Sequence, residues 1–289
     1  MNTRPPSITA VAELRRAVAA ARGGGRRVGL VPTMGALHRG HLSLVEASQG
    51  ECGLTVVSIY VNPTQFSPQE DFSRYPRTLD ADLDLLAGCG DTVVFAPTDG
   101  EMYPEGFATW VEVASLAQPL EGQCRPGHFR GVTTVVLKLL NMAGPDVAYF
   151  GQKDYQQAAV IGQMVRDLNV PVTVRVCPTV READGLALSS RNRYLAPRAR
   201  RDALVLWNSL QRADELIRRG ERNSGIIRER MREVILTAQD PAIDYIALVD
   251  PQTLQPVEEI RGPILAALAV RIGGTRLIDN QLLNGAEAE

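Results

Sequence analysis

Apolar and amphipathic stretches alternate along the first 180 residues of the chain. The runs VGLVP (28–32) and LTVVSIYV (54–61) are apolar almost throughout, which is typical of parallel strands covered on both faces. The stretch 9–21 instead has the spacing of an amphipathic helix, with an apolar face made of Val11, Leu14, Val18 and Ala21. Further strands are predicted at DTVVFAP, DVAYF and VTVRV, and further helices at TLDADLDLLAGCG, GVTTVVLKLLNMAGP and YQQAAVIGQMVRDLN.

Strands that alternate with helices predict an α/β fold with a doubly wound, mostly parallel sheet. Within TLDADLDLLAGCG, the spacing of Leu79, Leu83 and Leu86 predicts one buried stripe. Beyond about residue 180, an Arg-rich helix and a second helix precede two apolar strands, IDYIALVD and ILAALAVRI. The pattern therefore predicts two domains, 1–180 and 181–289, and the second is a smaller α+β domain.

Composition and charge exclude several classes of protein. An apolar share of 45%, a charged share of 22% and a net charge of −2 are those of a globular protein without nucleic acid or an anionic membrane as its main partner. The run GPILAALAV is too short to span a bilayer and predicts a buried strand, and the N-terminus has no signal-peptide pattern, so we expect a cytoplasmic protein. The four cysteines are scattered, which disfavours both a zinc site and disulfides.

Four polar segments follow predicted strands: PTMGALHRGH, NPTQF, GQKDYQQ and VREADGLALSSRN. Open parallel sheets bind ligands outside the carboxyl ends of their strands. We therefore expect all four segments to leave the same edge of the sheet.

His38 and His41 are two of only three histidines in the chain, and they surround Gly40 where a helix is predicted to begin. The N–H groups and dipole of a helix N-terminus attract phosphate, and imidazoles can donate hydrogen bonds to its oxygens. Solvent-facing polar residues are the ordinary alternative. A metal site is a weaker one, because the spacing differs from the i,i+4 zinc motif.

The chain has only two lysines, Lys138 and Lys153, among 31 cationic Lys and Arg residues. Lys153 is either a surface lysine beside Asp154 or a flexible point charge for phosphate oxygens. The ALSSRN loop offers Ser189, Ser190 and a guanidinium to phosphates, although either serine could simply cap a helix. Lys138 lies in an apolar helix, where its stem could reach water.

In combination, these motifs resemble the pantothenate synthetase family. HRGH followed by LSSR is similar to the nucleotide-binding signatures of class I aminoacyl-tRNA synthetases and related nucleotidyltransferases. PTMGALHRGH, NPTQF, HFRGVTTVVLKLL, GQKDYQQ and READGLALSSRN occur in the order typical of the pantothenate synthetase family and cover nearly the whole chain. The resemblance implies a Rossmann-like first domain that binds ATP and pantoate, a C-terminal lid and a homodimer.

The resemblance also implies the reaction and the residues that carry it. ATP, pantoate and β-alanine would be the substrates, with Mg²⁺ accompanying ATP, and pantoate would react through an acyl adenylate. His41, His38 and Lys153 would be catalytic, Gln65 would bind pantoate and β-alanine, and Gln157 would bind pantoate. The ATP-binding residues implied are Met34, Gly35, Ala36, Leu37, His38, Arg39, Gly40, His41, Gly151, Gln152, Lys153, Asp154, Val180, Leu188, Ser189, Ser190 and Arg191.

The metal ligands stay unassigned at this stage. The family often has a denser acidic run where this chain reads TLDADLD, and Asp82 could be either a metal partner or a solvated helix residue.

Two other functions remain: a different nucleotidyltransferase that shares the histidine pair and the downstream loop, and a non-catalytic RNA-binding relative of the tRNA synthetases. The two glutamine motifs argue against the first, and the net charge of −2 argues against the second.

Overall fold

The structure is a computed structural model that describes residues 3–68 and 70–284. Of these, the ones within Met1–Ala117, Arg125–Gln152 and Gln157–Pro178 form one compact unit, and those within Gln118–Cys124, Lys153–Gln156 and Thr179–Glu289 form a second. Two short segments before residue 180 therefore group with the second unit. The assignment of a substrate-binding domain to 1–180 and of a lid to 181–289 stays a prediction.

The helices and strands follow the predicted alternation. The helices are α1 (Val11–Gly23), α2 (Arg39–Glu51), α3 (Leu79–Leu85), α4 (Asp99–Met102), α5 (Glu121–Cys124), α6 (His128–Ala143), α7 (Tyr155–Asp167), α8 (Pro197–Asp202), α9 (Leu204–Arg218) and α10 (Ser224–Ile235). The strands are β1 (Ser7–Ile8), β2 (Val28–Thr33), β3 (Leu54–Ile59), β4 (Thr92–Phe95), β5 (Val147–Gly151), β6 (Thr173–Cys177), β7 (Ala242–Val249), β8 (Pro263–Ile272) and β9 (Thr275–Asn284).

The first unit contains a six-stranded parallel sheet in the order β1-β4-β3-β2-β5-β6. Leu44 and Val45 of α2, Leu83 of α3 and Leu86 directly after α3 are buried against one face, while α1 and α6 pack with β2. This confirms the Rossmann-like α/β prediction. The four polar segments follow β2, β3, β5 and β6, which are neighbours in the sheet, so the segments start from one edge, as predicted.

Two local predictions need correction. The predicted apolar stripe of α3 is wrong at Leu79, which is exposed. Leu83 and Leu86 are buried as predicted, and Asp82 is buried beside Leu83. β1, a two-residue strand paired in parallel with β4, was not predicted because so short a segment has no periodicity.

The second unit contains a three-stranded antiparallel sheet in the order β7-β8-β9. β8 is the predicted buried strand and lies at the centre. β9 was missed, so the prediction of two strands is wrong by one. Gly273 and Gly274, with φ of +55° and +80°, form the two-residue turn between β8 and β9, which is the conformation a tight hairpin requires. Helix α9 buries one face, formed by Leu206, Leu210, Ala213 and Ile217.

In the part of the chain that the structure describes, no helix combines the length and the apolar character that crossing a membrane requires. All four cysteines carry free thiols.

Helix α6 closely approaches the backbone that follows β3 at Gly131. A Cβ there would collide with the carbonyl oxygen of Thr64 and lie 2.8 Å from the Cα of Gln65. Gly162, in the interior of α7, has only the flexible end of Arg166 near its Cβ direction, at 3.5 Å.

We expect Gly131→Ala to lower the free energy of unfolding by about 1–3 kcal/mol, because the added methyl group forces α6 away from the backbone that follows β3. Gly162→Ala is the matched control and should raise stability by roughly 0.5–1 kcal/mol, since alanine favours a helix interior. Urea unfolding of both variants measures this. Equal effects of the two substitutions would contradict the packing account.

Candidate active site

The loop between β2 and α2 has a left-handed backbone at two consecutive residues. Gly35 has φ of +79° and Ala36 has φ of +50°. The Asp82 carboxylate of α3 accepts hydrogen bonds from the backbone N–H groups of Ala36 (3.0 Å) and Leu37 (2.8 Å), and its side chain is almost fully buried. A Cβ on Gly35 would lie 3.0 Å from the same carboxylate, so glycine fits this approach. The carboxylate therefore fixes the loop that leads into α2.

This geometry corrects both interpretations of Asp82. It is not a solvated helix residue, because it is buried, and its oxygens face backbone N–H groups and the Thr78 hydroxyl, which donates at 3.3 Å. The other acidic residues of α3, Asp80 and Asp84, lie on the exposed side beside Arg4. Among the described residues, no group of three or more His, Cys, Asp or Glu side chains is arranged to hold a metal ion.

His38 and His41 cap the N-terminus of α2. The Nδ1 atom of His38 accepts from the N–H of Gly40 (3.2 Å), and the Nδ1 atom of His41 accepts from the N–H of His38 (3.3 Å). The two imidazole rings lie with their centroids 4.1 Å apart. The two side chains are therefore not loose surface residues, because each Nδ1 accepts from a backbone donor of the cap.

The capping bonds determine which ring nitrogen is protonated. A backbone N–H can only donate, so each Nδ1 is an unprotonated acceptor and the proton of each neutral imidazole is on Nε2. The N-terminus of α2 thus carries two oriented imidazole N–H donors in addition to its own dipole. This is an arrangement suited to an anion such as phosphate.

Gln65 lies in the 3-10 turn Pro63–Gln65 after β3 and is buried. Its Oε1 accepts from the Asn62 side chain at 3.1 Å, and its Nε2 lies 3.1 Å from the sulfur of Met34, so the structure brings two of the predicted site residues together. Asn62 itself was not predicted as part of the site, although it begins the quoted NPTQF motif.

The backbone of Gln65 is held from the other side by a series of partly buried polar side chains. His128 Nδ1 donates to the Gln65 carbonyl oxygen (2.8 Å), and Arg125 donates to His128 Nε2 (3.0 Å) and to Glu70 (2.5 Å). Burial favours protonation of Glu70, but the hydrogen bond and charge of Arg125 outweigh it, so the pKa of that carboxyl lies below its usual range. The hydrophobic periodicity of the sequence gave no signal for this series of hydrogen bonds, because it joins residues from separate segments.

Lys153 belongs to the second unit and lies in the 3-10 turn Gln152–Asp154, directly after β5. Its ammonium lies 3.8 Å from the Asp154 carboxylate, as the surface interpretation proposed, yet only a fifth of its side chain is exposed. Its backbone carbonyl accepts from the side chain of Asn280 at 2.8 Å, which fixes the backbone at this lysine. Ser189 caps the 3-10 turn Ser190–Tyr194 by accepting from the N–H of Arg191 (3.3 Å), so the capping interpretation of this serine is confirmed.

The READG segment that precedes the two serines is fixed by Arg181, to which the sequence assigned no role. Its guanidinium makes two hydrogen bonds to the buried carboxylate of Asp279 (2.7 and 2.9 Å) and stacks 3.9 Å from the centroid of the Trp207 ring. It also donates to the carbonyl oxygen of Gly185 at 3.0 Å. Gly185 leaves no space for a side chain against Trp207. The ALSSRN loop therefore starts from a rigid base.

The remaining predicted residues lie in the same segments. Arg39 is exposed in the first turn of α2, and Gln157 is half-buried on α7. The other half-buried positions are Gly151, Gln152, Val180, Leu188, Ser190 and Arg191.

A parallel sheet with an anion-attracting helix N-terminus at the carboxyl edge of its strands places this protein in the class of Rossmann-like α/β enzymes. The sequence profile of the pantoate-beta-alanine ligase family matches residues 7–282. The chain belongs to this family of ATP-dependent ligases.

Relatives support the assignment over nearly the whole chain. Pantothenate synthetase of Moorella thermoacetica is 56% identical over 273 residues, covering 94% of this chain and 96% of that protein. The crystal structure of pantothenate synthetase from Thermus thermophilus has a TM-score of 0.91 at 46% identity and covers 98% of this chain and 100% of its own. The Francisella tularensis ligase, solved with β,γ-ATP and β-alanine, has a TM-score of 0.78 at 34% identity, with 96% and 97% covered.

We expect Asp82→Asn to destabilise the loop before α2, because an amide has one oxygen for two backbone donors and adds its own N–H₂ group. The free energy of unfolding should fall by about 1–3 kcal/mol, the cost of an unsatisfied buried donor. Asp80→Asn is the matched control on the exposed side of α3 and should change stability by less than roughly 0.5 kcal/mol. Urea unfolding curves that show the same midpoint for both variants would rule out the role given to Asp82.

Proposed function

We propose that this chain condenses pantoate with β-alanine to give pantothenate, through a pantoyl adenylate, with release of AMP and pyrophosphate. The observation that carries the proposal is the pair of histidines at the start of α2, each of which accepts a backbone N–H at Nδ1, in a member of the pantoate-beta-alanine ligase family. This leaves the proton of each neutral ring on Nε2.

In the first step, a carboxylate oxygen of pantoate attacks the α-phosphorus of ATP, and the bond to the bridging oxygen of pyrophosphate breaks. Negative charge builds up on phosphate oxygens, so the step needs positioned donors rather than a nucleophilic side chain. His41 donates to these oxygens from Nε2. His38, which lies just before α2, donates to the phosphates beside it. Met34 to Leu37 provide the loop along which ATP lies.

Lys153 and the ALSSRN loop supply further positive charge and donors to ATP. The Lys153 ammonium is a compact point charge that follows phosphate oxygens as the bond breaks. Ser190 and Arg191 donate to the phosphates, and the backbone of Gly151 to Asp154 contacts the nucleotide. The rigid base formed by Arg181 and Asp279 supports this assignment, because a phosphate-binding loop needs a fixed starting point.

In the second step, the amine of β-alanine attacks the carbonyl carbon of the adenylate, AMP leaves, and the amine loses a proton. Gln65 holds both pantoate and β-alanine, and Gln157 holds pantoate. Amide side chains suit these substrates because they bind hydroxyl and carboxylate oxygens without adding charge. The burial of Gln65 supports its role, since a buried amide keeps one orientation.

Mg²⁺ is proposed as the ion that accompanies ATP. Asp82, the residue considered as its ligand, does not fit, because its oxygens face backbone N–H groups. Mg²⁺ usually keeps several waters and binds phosphate oxygens, so a cage of protein carboxylates is not required.

We further propose a cytoplasmic homodimer that does not bind nucleic acid, which agrees with the free thiols and the net charge of −2.

ATP–pyrophosphate exchange tests the proposal. We expect exchange that requires pantoate and Mg²⁺ but not β-alanine, because the adenylate forms before the amine enters. The assay is run with pantoate, with β-alanine, with both and with neither. Exchange driven by an amino acid such as tyrosine, with none from pantoate, would overturn the proposed substrate.

A further inference from the structure

The orientation of the Gln65 carboxamide is determined by Asn62. Asn62 is almost fully buried, and its Nδ2 donates both to Gln65 Oε1 (3.1 Å) and to the carbonyl oxygen of Gly131 (3.2 Å). A carbonyl oxygen can only accept, so the nitrogen of the Asn62 amide must face Gly131. Gln65 therefore receives a hydrogen bond at its oxygen.

The other end of Asn62 is held by three donors. Its Oδ1 accepts from the Tyr103 hydroxyl (2.9 Å), from the Thr64 hydroxyl (3.0 Å) and from the Thr64 backbone N–H (3.3 Å). Burial raises the pKa of Tyr103 above its usual value, so its hydroxyl keeps the proton that it donates. Tyr103 comes from a segment 41 residues away, immediately after α4, and is the most distant member of this chain of bonds.

Because Gln65 Oε1 faces Asn62, its Nε2–H₂ group faces the opposite way. There it lies 3.1 Å from the Met34 sulfur, a weak acceptor. A carboxylate or hydroxyl oxygen is a much stronger acceptor and would take this bond from the thioether. The arrangement thus presents donors, rather than an acceptor, to a substrate.

We propose that Tyr103 is a positioning residue for substrate binding: through Asn62, its hydroxyl holds the Gln65 carboxamide with its N–H₂ group directed at a substrate oxygen. This inference rests on the proposed function in one respect, the binding of pantoate and β-alanine by Gln65.

The Tyr103 ring is itself held in an aromatic cluster. Its centroid lies 5.0 Å from that of Phe107 and 6.4 Å from that of Trp110. The Lys138 ammonium lies 4.8 Å from the Phe107 centroid and 5.9 Å from the Tyr103 centroid, within the range of cation–π attraction. Lys138 therefore does not simply extend into water. The cluster limits how far the Tyr103 hydroxyl can move from Asn62.

Tyr60 offers a matched control in the same cluster. Its ring centroid lies 6.5 Å from that of Tyr103, but its hydroxyl donates to the Asp99 carboxylate at 2.9 Å instead of to Asn62. Replacement of either tyrosine by phenylalanine removes one partly buried hydroxyl. The Tyr60 hydroxyl bonds Asp99, whereas the Tyr103 hydroxyl bonds Asn62 and also lies 3.2 Å from the Thr64 hydroxyl, so only the Tyr103 replacement acts on the hydrogen bonds that lead to Gln65.

We expect Tyr103→Phe to raise the KM for pantoate about tenfold, the size of one lost hydrogen bond, and to leave the KM for ATP unchanged. Tyr60→Phe should leave both KM values unchanged. Both variants should lower the melting temperature by a similar small amount, because each loses one hydroxyl. Steady-state kinetics with each substrate varied in turn, together with thermal melting, measure these effects.

A double-mutant cycle separates positioning from general damage. In the Gln65→Ala background, Tyr103→Phe should cause no further rise in the KM for pantoate, because the amide that it orients is gone. A Tyr103→Phe variant with wild-type KM for pantoate, or a loss that simply adds to that of Gln65→Ala, would overturn the inference.

If Tyr103→Phe does not fold, Thr64→Val is the second variant, because it removes the other hydroxyl donor to Asn62. It should raise the KM for pantoate, and no rise would overturn the inference as well. Wild-type exchange that is independent of pantoate would instead refute the proposed function.

Discussion

The active-site geometry in the first unit depends on one buried carboxylate. Asp82 satisfies two backbone N–H groups of a loop that has two consecutive left-handed residues, a conformation that would otherwise leave donors unsatisfied in the interior. The loop determines where α2 begins, and α2 begins with the two histidines. The position of the imidazole donors at the edge of the sheet is therefore a consequence of a contact made 46 residues further along the chain.

The central part of the fold could be predicted because its physical cause is local. Strands covered on both faces are mostly apolar, and β2, β3 and β8 are apolar at nearly every position. β9 was not predicted, because its sequence, TRLIDNQLLN, mixes buried and exposed positions at the edge of a sheet and contains no apolar run. The Gly273–Gly274 pair was a usable signal, since two glycines between two strand-like runs favour a tight hairpin.

The candidate site could be predicted only at the level of its motifs. The segments that contain His41, Gln65 and Lys153 were identified from residue type and from their position after strands. The partners that orient them were not, because each contact joins distant segments. Periodicity assigns an aspartate such as Asp82 to the solvent, and it gives no reason to connect Tyr103 with a glutamine that lies before α3. Such partners become visible only when the sheet brings the segments together.

The tautomers of the three histidines test the central claim most directly. In ¹⁵N NMR of histidine-labelled protein near neutral pH, we expect His38 and His41 to have the proton on Nε2 and an unprotonated Nδ1. His128 should show the opposite tautomer, because its Nδ1 donates to the Gln65 carbonyl oxygen, and it serves as the internal reference. A His41 ring with its proton on Nδ1 would contradict the account, since it could not then accept from the backbone and direct a donor at phosphate.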